Sequence, residues 1–284
     1  MKTRWGLVLL PSFLVSMALL VGSQYVFISN SFYRDLRLGR IGPDFTWINY
    51  ARFFSDSFYL DTLYLTIEVS ALATAFTLIA GYPVAYLIAR LRSRLGMAML
   101  AAIVLSSLIS IVIKVLGIIV IFAADGPINT ALIRLGALDR PFSILGNTAG
   151  VVIGLMHFTL GFGVLLLYSV ISTIPRSLED AAAIHGASRP RVFWRVILPL
   201  SLPGVIAGGL IMFNLCMGVF VSAAILGSGK VLTLPVLIQR TIILENRYAM
   251  GATLAAVLLV SALLVNLISA LVLMRFRVTR RAVA

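Results

Sequence analysis

The sequence predicts an all-α membrane protein with six transmembrane helices and with both termini in the cytoplasm. Three observations predict this class. Hydrophobic residues make up 61% of the 284 residues and charged residues only 12%, a composition too apolar for a soluble domain. Six apolar runs are long enough to cross a bilayer, and basic residues are concentrated between alternate runs.

The six apolar runs divide the chain. A spanning helix needs about 20 apolar residues, and the runs that reach this length lie at roughly 5–28, 62–89, 97–123, 148–173, 203–226 and 250–274. Val21-Gly22-Ser23 resembles a signal-peptide cleavage site, but the length of the first run favours an uncleaved helix. We expect a first helix with a long outer loop in residues 1–60, a transmembrane core in 61–275 and a basic tail in 276–284.

The distribution of basic residues orients the chain. With the N-terminus inside, the cytoplasmic segments hold 13 basic and two acidic residues, whereas the outer segments hold nine basic and seven acidic residues. The positive-inside rule therefore places residues 175–203 in the cytoplasm. The net charge of +13 does not indicate nucleic-acid binding, because no basic stripe interleaved with aromatic residues occurs outside the interhelical segments and tails. The cytoplasmic basic residues are Lys2, Arg4, Arg90, Arg92, Arg94, Arg176, Arg189, Arg191, Arg195, Arg275, Arg277, Arg280 and Arg281.

The segment 175–203, PRSLEDAAAIHGASRPRVFWRVILPLSLP, is a long polar interruption. Ser177 followed by Asp180 predicts a capped start of a short helix, and Gly186 permits a left-handed turn at its end. A second short helix is expected from Pro190 to Pro199, with Val192, Phe193, Val196 and Ile197 on one side. From the residues alone, such a helix could bind another protein or lie on anionic lipid headgroups.

A spaced pattern in this segment favours protein binding. The pattern consists of Asp180-Ala181-Ala182, three intervening residues, Gly186, nine intervening residues and Val196-Ile197-Leu198-Pro199. It resembles the EAA loop of ABC-importer permeases, although Asp180 stands where that family has Glu. The resemblance implies the type I importer (MetI-like) permease fold and a loop that couples to a separate ATPase. The implied docking residues are Glu179, Asp180, Ala181, Ala182, Gly186, Arg189, Phe193, Arg195 and Pro199.

Other motifs narrow the resemblance. Gly81-Tyr82-Pro83, the GPIN motif at 126–129 and the segment 226–251 resemble spermidine/putrescine-type permeases, and the similarity covers about residues 60–275. It implies a permease subunit of the bacterial inner membrane that transports a polyamine; opine, amino-acid-like, phosphonate or ferric cargo stays open. The implied partners are a dimer of ATPase subunits that bind ATP and Mg²⁺, a second homologous permease, a periplasmic or lipoprotein binding protein, and membrane lipid. An ion-coupled secondary transporter and a non-transporting scaffold are the alternatives from other classes.

Several residues are candidates for the translocation pathway. Glu68 and Lys114 are ionisable residues inside apolar runs, which is costly and marks functional sites. Counted at 1.5 Å per residue along straight helices, they lie about 10 Å and about 14 Å below the outer surface. This predicts either an ion pair between two helices or contact with substrate. Asn214 and Asn266 are expected to form interhelical hydrogen bonds or to line a cavity, and His157 is a further candidate.

The chain lacks the motifs of an enzyme. Gly227-Ser228-Gly229-Lys230 has neither the earlier glycine nor the following Ser or Thr of a phosphate-binding loop, so we expect a turn and no ATP site. His157 and His185 are far apart in the predicted topology, which argues against a metal site. We expect no cofactor in this chain. The outer-loop aromatics are expected to lie at the membrane interface or to contact an extracytoplasmic partner.

Overall fold

The protein is mainly helical in a computed structural model, which describes residues 3–36, 39–91 and 93–281 and the side chains of 9–36, 39–91 and 93–271. Arg92 and the side chains of Arg4, Arg275, Arg277, Arg280 and Arg281 therefore lie outside the described part, as does Lys2. The elements in chain order are α1 (Thr3–Asn30), β1 (Tyr33–Asp35), β2 (Ile41–Phe45), α2 (Ile48–Ser55), α3 (Ser57–Arg90), α4 (Arg94–Leu108), α5 (Ile111–Ile121), α6 (Pro127–Arg134), α7 (Thr148–Ser172), α8 (Ser177–Ile184), α9 (Arg189–Val192), a first π-helical segment (Phe193–Ile197), α10 (Leu198–Gly218), α11 (Val221–Gly227), α12 (Leu234–Gln239), a second π-helical segment (Arg240–Leu244) and α13 (Tyr248–Arg281).

The predicted all-α membrane class is confirmed. Five helical stretches are long and apolar enough to cross a membrane, and a bent pair of helices raises the number to six if the pair counts as one span. The five stretches are Leu9–Asn30, Ser57–Arg90, Thr148–Ser172, Arg189–Gly218 and Tyr248–Leu271. The chain is therefore a multi-pass membrane protein.

The third predicted span, 97–123, is not one straight helix. α4 and α5 meet at Ile109 and Ser110 with a bend of 101°. Ile109 is extended, with φ −68° and ψ 137°, and no proline or glycine lies at the break. Serine side chains surround it, and the Ser107 hydroxyl donates to the Ile103 carbonyl at 2.9 Å. Such local hydrogen bonds compete with the helical backbone pattern.

The fifth predicted span, 203–226, is also different. The helical stretch begins at Arg189, continues past Pro199 and Pro203, and ends at Gly218. Pro199 therefore does not end the second short helix. A π-helical turn lies directly before Pro199, and in it the Leu198 amide donates to the carbonyl of Phe193, five residues earlier. This turn changes the hydrogen-bond pattern of the helix just before Pro199, which has no amide hydrogen to donate. Residues 221–227 form the separate helix α11.

The chain divides into two compact units, of which the first comprises Met1–Leu63 and Leu234–Ser261. Its β1 and β2 strands pair antiparallel, with Tyr33 opposite Phe45. The Asp35 carboxylate accepts hydrogen bonds from the amides of Ala249 and Met250 at 2.7 and 2.9 Å, so it satisfies two free donors at the start of α13. The core of this unit contains Phe53, Tyr59, Leu234, Leu237, Met250, Leu254 and Val257.

The second unit comprises Tyr64–Thr233 and Ala262–Ala284, and α7 packs against α4, α5, α10 and α11. Small residues permit this packing. A Cβ atom on Gly163 would lie only 2.7 Å from Met212 of α10 and 2.7 Å from Thr77 of α3. Hydroxyl pairs also join the helices: Thr77 with Thr159 at 2.9 Å and Tyr82 with Ser201 at 2.6 Å.

Candidate functional site

The segment between α7 and α10 folds as two short helices joined by a turn. α8 carries Glu179 and Asp180 in its first turn, where acidic side chains suit the positive helix end. Ser177 is the first helical residue rather than its cap, and no side chain caps this end. The predicted capping by Ser177 is therefore wrong, because the backbone of Arg176 is already helical at the capping position.

Gly186 ends α8 in the left-handed conformation that the sequence predicts, with φ +77°. Its amide donates to the Ala183 carbonyl at 2.9 Å, and the Ala187 amide donates to the Ala182 carbonyl at 3.0 Å. These two bonds form a Schellman motif. Ala182 and Ala187 both pack against the buried cluster of Ile174, Val192 and Ile197. The turn therefore fixes both the end of α8 and the direction of the chain beyond it.

α8 presents one face away from the chain. Asp180, Ala181 and Ala183 are exposed, and Ile184 is 84% exposed. The exposed surface thus consists of small alanine side chains next to an apolar isoleucine. It is suited to close contact with another protein, because no long side chain holds the partner away from the helix.

Glu179 joins α8 to the C-terminal end of α3. Glu179 lies 2.5 Å from the Arg90 guanidinium and accepts a hydrogen bond from the Tyr86 hydroxyl at 3.1 Å. Arg176, just before α8, donates to the Ala89 carbonyl at 3.0 Å. Glu179, which the resemblance groups with the docking residues, is therefore turned inward within the described part of the chain.

The second half of the segment is anchored by apolar side chains. Val192 and Ile197 are buried with Ile174, and Val196 packs against this cluster, as the pattern predicted. Phe193 packs edge-to-face on Tyr82 and Tyr86, with ring centroids 5.6 and 5.7 Å apart. Arg189 and Arg195 remain exposed, and Pro199 lies in the first turn of α10.

A groove of about 690 Å³ lies between the two halves of the segment and α3. Both charged and apolar side chains line it. The groove is open, so it can accept a side chain from another protein. Its lining includes Tyr86, Arg90, Arg176, Glu179, Asp180, Arg189, Val192 and Phe193.

Tyr86, Arg90 and Arg176 were not predicted as part of this site. The two arginines contribute only to the charge asymmetry in the sequence, and Tyr86 lies in an apolar run. The one available signal is the spacing of Tyr86 and Arg90, which places them on one face of the last turn of α3.

The candidate pathway residues do not form the predicted ion pair. Glu68 is exposed, and no ion pair among the described residues joins it to Lys114. The matched depths assumed that both helices run along the membrane normal, whereas α5, which carries Lys114, is bent by 101° from α4. α5, which carries Lys114, packs instead against α7, which carries His157.

Asn214 and Asn266 form the interhelical hydrogen bonds that the sequence predicted. The two amides bond reciprocally at 2.9 and 3.0 Å. Each amide nitrogen also donates to a carbonyl of its own helix, Leu210 at 2.7 Å and Ala262 at 2.9 Å. Both donors of each amide are thus satisfied, which joins α10 to α13.

The turn at Gly227-Ser228-Gly229-Lys230 is confirmed by the left-handed conformation of Ser228 and Gly229. Among the residues that the structure describes, no group of three or more His, Cys, Asp or Glu could hold a metal ion.

Known proteins resemble this chain in sequence and fold. The spermidine/putrescine transport system permease protein PotB of Haemophilus influenzae is 33% identical over 204 residues, 72% of this chain and 71% of that protein. PotB of Escherichia coli is 33% identical over 186 residues, 66% of this chain and 67% of that protein.

Solved structures share the fold. A chain of a bacterial ABC transporter involved in the import of the acidic polysaccharide alginate superposes with a TM-score of 0.78 at 18% identity, covering 96% of both chains. A chain of the MetNI methionine ABC transporter gives 0.60 at 16% identity, covering 76% of this chain and 94% of that one. A family model matches residues 78–278, and the chain belongs to the binding-protein-dependent transport system inner membrane component family, the permease subunits of ABC importers.

Proposed function

We propose that this chain forms half of the translocation pathway of a polyamine importer and docks a separate ATPase through the outward face of α8. The observation that carries the docking role is the exposed surface of Asp180, Ala181 and Ile184 on α8, a helix that is held in place by the contact of Glu179 with Arg90. A partner helix can approach the alanine side chains closely, because they are short.

Other subunits complete the importer in this proposal. A second, homologous permease supplies the other half of the pathway, because this chain carries no internal duplication. ATP and Mg²⁺ bind to a dimer of ATPase subunits, and a periplasmic or lipoprotein binding protein delivers the cargo at the bacterial inner membrane. The proposed binding protein is supported by a solved structure with a similar fold, a bacterial alginate ABC transporter in complex with an alginate pentasaccharide-bound periplasmic protein.

Charge reversal at Asp180 tests the docking role. Asp180→Lys places a positive charge where the proposed docking surface presents a negative one to the ATPase. Like charges placed together at an interface cost several kcal/mol, so the amount of ATPase retained during purification of the importer should fall about tenfold or more. Asp139→Lys is the matched control, because Asp139 is also exposed but lies in an outer segment. Equal ATPase retention by Asp180→Lys and Asp139→Lys, with both proteins present in the membrane, would remove α8 as the docking site.

The polyamine cargo rests on the similarity to the PotB permeases. It is tested by uptake of radiolabelled spermidine and putrescine into cells that lack other polyamine importers. Uptake should require this chain and should be lost in the Asp180→Lys variant. No uptake of either compound would exclude the polyamine assignment and leave the importer class intact.

One observation favours a second class of cargo. No ion pair among the described residues gives Lys114 an acidic partner. A cargo with a carboxylate or phosphonate group could neutralise Lys114 in the membrane. Radiolabelled glutamate, tested in the same cells, distinguishes the amino-acid-like cargo from spermidine.

A further inference from the structure

Glu179 and Asp180 are adjacent acidic residues that occupy opposite environments. Asp180 is exposed on the outward face of α8, whereas the side chain of Glu179 is 20% exposed and that of Arg90 is 14% exposed. Both carboxylate oxygens of Glu179 are used, one near Arg90 and one by the Tyr86 hydroxyl. A carboxylate with both oxygens held by its own chain has little capacity left for a partner protein.

Two arginines strengthen the contact between α3 and the start of α8, because each donates a hydrogen bond from one segment to the other. Arg90 of α3 donates to the Ile174 carbonyl in the loop at 3.4 Å, and Arg176 in the loop donates to the Ala89 carbonyl of α3 at 3.0 Å. The guanidinium of Arg90 also lies 5.8 Å from the centroid of the Tyr86 ring. The start of α8 is therefore fixed to the end of α3 through side chains, and not only through its neighbours in sequence.

α3 is itself joined to the two helices that flank the loop. Thr77 is hydrogen-bonded to Thr159 of α7, and Tyr82 to Ser201 of α10. A displacement of α8 therefore moves α3 through the contact of Glu179 with Arg90. The movement of α3 in turn reaches α7 and α10 through these hydrogen bonds. Packed helices with fixed polar contacts move as units rather than deforming.

We infer that Glu179 is a positioning residue that fixes α8 to α3, so that the movement of a docked ATPase is transmitted to the transmembrane helices. Glu179 then contributes to coupling and not to ATPase binding. This inference rests on the docking role proposed for α8. It assigns different phenotypes to two adjacent acidic residues.

The test compares Glu179→Gln with Asp180→Lys in the assembled importer in proteoliposomes. Glu179→Gln should keep the ATPase bound and hydrolysing ATP, because the outward face of α8 is unchanged. The amount of radiolabelled spermidine transported per ATP hydrolysed should fall about tenfold, within the range of coupling between sites. Glu245→Gln, which alters an acidic residue paired with Arg240 and Arg247 outside the loop, is the matched control and should keep the parent ratio.

A charge exchange distinguishes positioning from a general folding defect. Arg90→Glu combined with Glu179→Arg restores opposite charges at the junction, so it should recover most of the transport that either single change removes. Spin labels at Leu178→Cys of α8 and Leu87→Cys of α3, both exposed in the chain, measure the distance between the two helices. Glu179→Gln should broaden the distance distribution between these labels, and the charge exchange should narrow it again.

Each other outcome has a definite meaning. Loss of ATPase binding by Glu179→Gln would overturn the inference, since Glu179 would then be a docking contact. An unchanged ratio of transport to hydrolysis, or an unchanged label distribution, would overturn it as well. Failure of the charge exchange to recover transport, in a protein that assembles normally, would show that the pair is not the positioning contact. Normal ATPase binding by Asp180→Lys would instead contradict the proposed docking role.

Discussion

At the scale of single residues, the backbone conformation at Gly186, and not a lack of room for a side chain, explains why a glycine is needed there. A Cβ atom added there would meet nothing within 4 Å, but the φ of +77° is a conformation that other residues resist. A left-handed conformation costs an ordinary residue about 1–2 kcal/mol, and β-branched residues are disfavoured most strongly. The expected effect of substitution is therefore specific to the type of residue introduced.

We predict that Gly186→Val abolishes transport and lowers ATPase retention while the protein stays in the membrane. Gly186→Asn should retain much of both activities, because asparagine tolerates the left-handed conformation. The measurements are spermidine uptake and co-purification of the ATPase. If valine and asparagine behave alike, the conformation of this turn does not matter for docking.

The residue scale also separates what sequence can predict from what it cannot. The left-handed turn at Gly186 was predictable, since few residues adopt that conformation and a glycine marks the end of a short polar helix. The inward direction of Glu179 was not predictable. Glu179 and Asp180 look alike in the sequence, and Arg90, which decides between them, lies 89 residues away along the chain.

At the scale of elements, hydropathy predicts where apolar helices lie but not whether they are straight. Both arms of the bent pair, α4 and α5, are apolar, so the sequence pattern continues through the break at Ile109 and Ser110. The predicted pairing of Glu68 with Lys114 assumed one straight span, and no ion pair among the described residues joins them. Conversely, Pro199 suggested a helix end, and the π-helical turn before it lets the helix continue.

Asn129 holds the segment between α5 and α7 together. Its side chain is fully buried, and its amide nitrogen lies 2.9 to 3.0 Å from the carbonyls of Phe122, Ala123 and Phe142. Its side-chain oxygen accepts from the Phe142 amide at 2.8 Å. Because buried backbone groups left without partners cost about 1–3 kcal/mol each, the loss of this one side chain should affect the whole segment.

We predict that Asn129→Ala lowers the free energy of unfolding by about 2–4 kcal/mol. Asn147→Ala is the control: Asn147 makes a single capping bond to the Ala149 amide at 2.9 Å, and losing such a cap costs about 1 kcal/mol. The check is thermal unfolding of the purified protein in detergent. A larger loss of stability from Asn147→Ala than from Asn129→Ala would contradict the assigned role.

At the scale of the whole molecule, orientation rests on the distribution of basic residues and on the position of the docking loop. These two lines are independent, because one counts charges over the chain and the other uses a spaced pattern within 175–203. Ser188, Ile184, Asp139 and Lys230 are exposed, so single cysteines at these positions can report the orientation.

We predict that single cysteines at Ser188 and Ile184 react with a membrane-impermeant maleimide only from the cytoplasmic side. Cysteines at Asp139 and Lys230 should react only from outside, because the positive-inside rule places their segments there. The native Cys216 is buried, and Cys216→Ala removes it as a source of background labelling. Right-side-out and inverted vesicles provide the two exposures. Labelling of Ser188 from outside would place α8 beyond the reach of any ATPase that hydrolyses cytoplasmic ATP, and the docking role and the transmission through Glu179 would both be wrong.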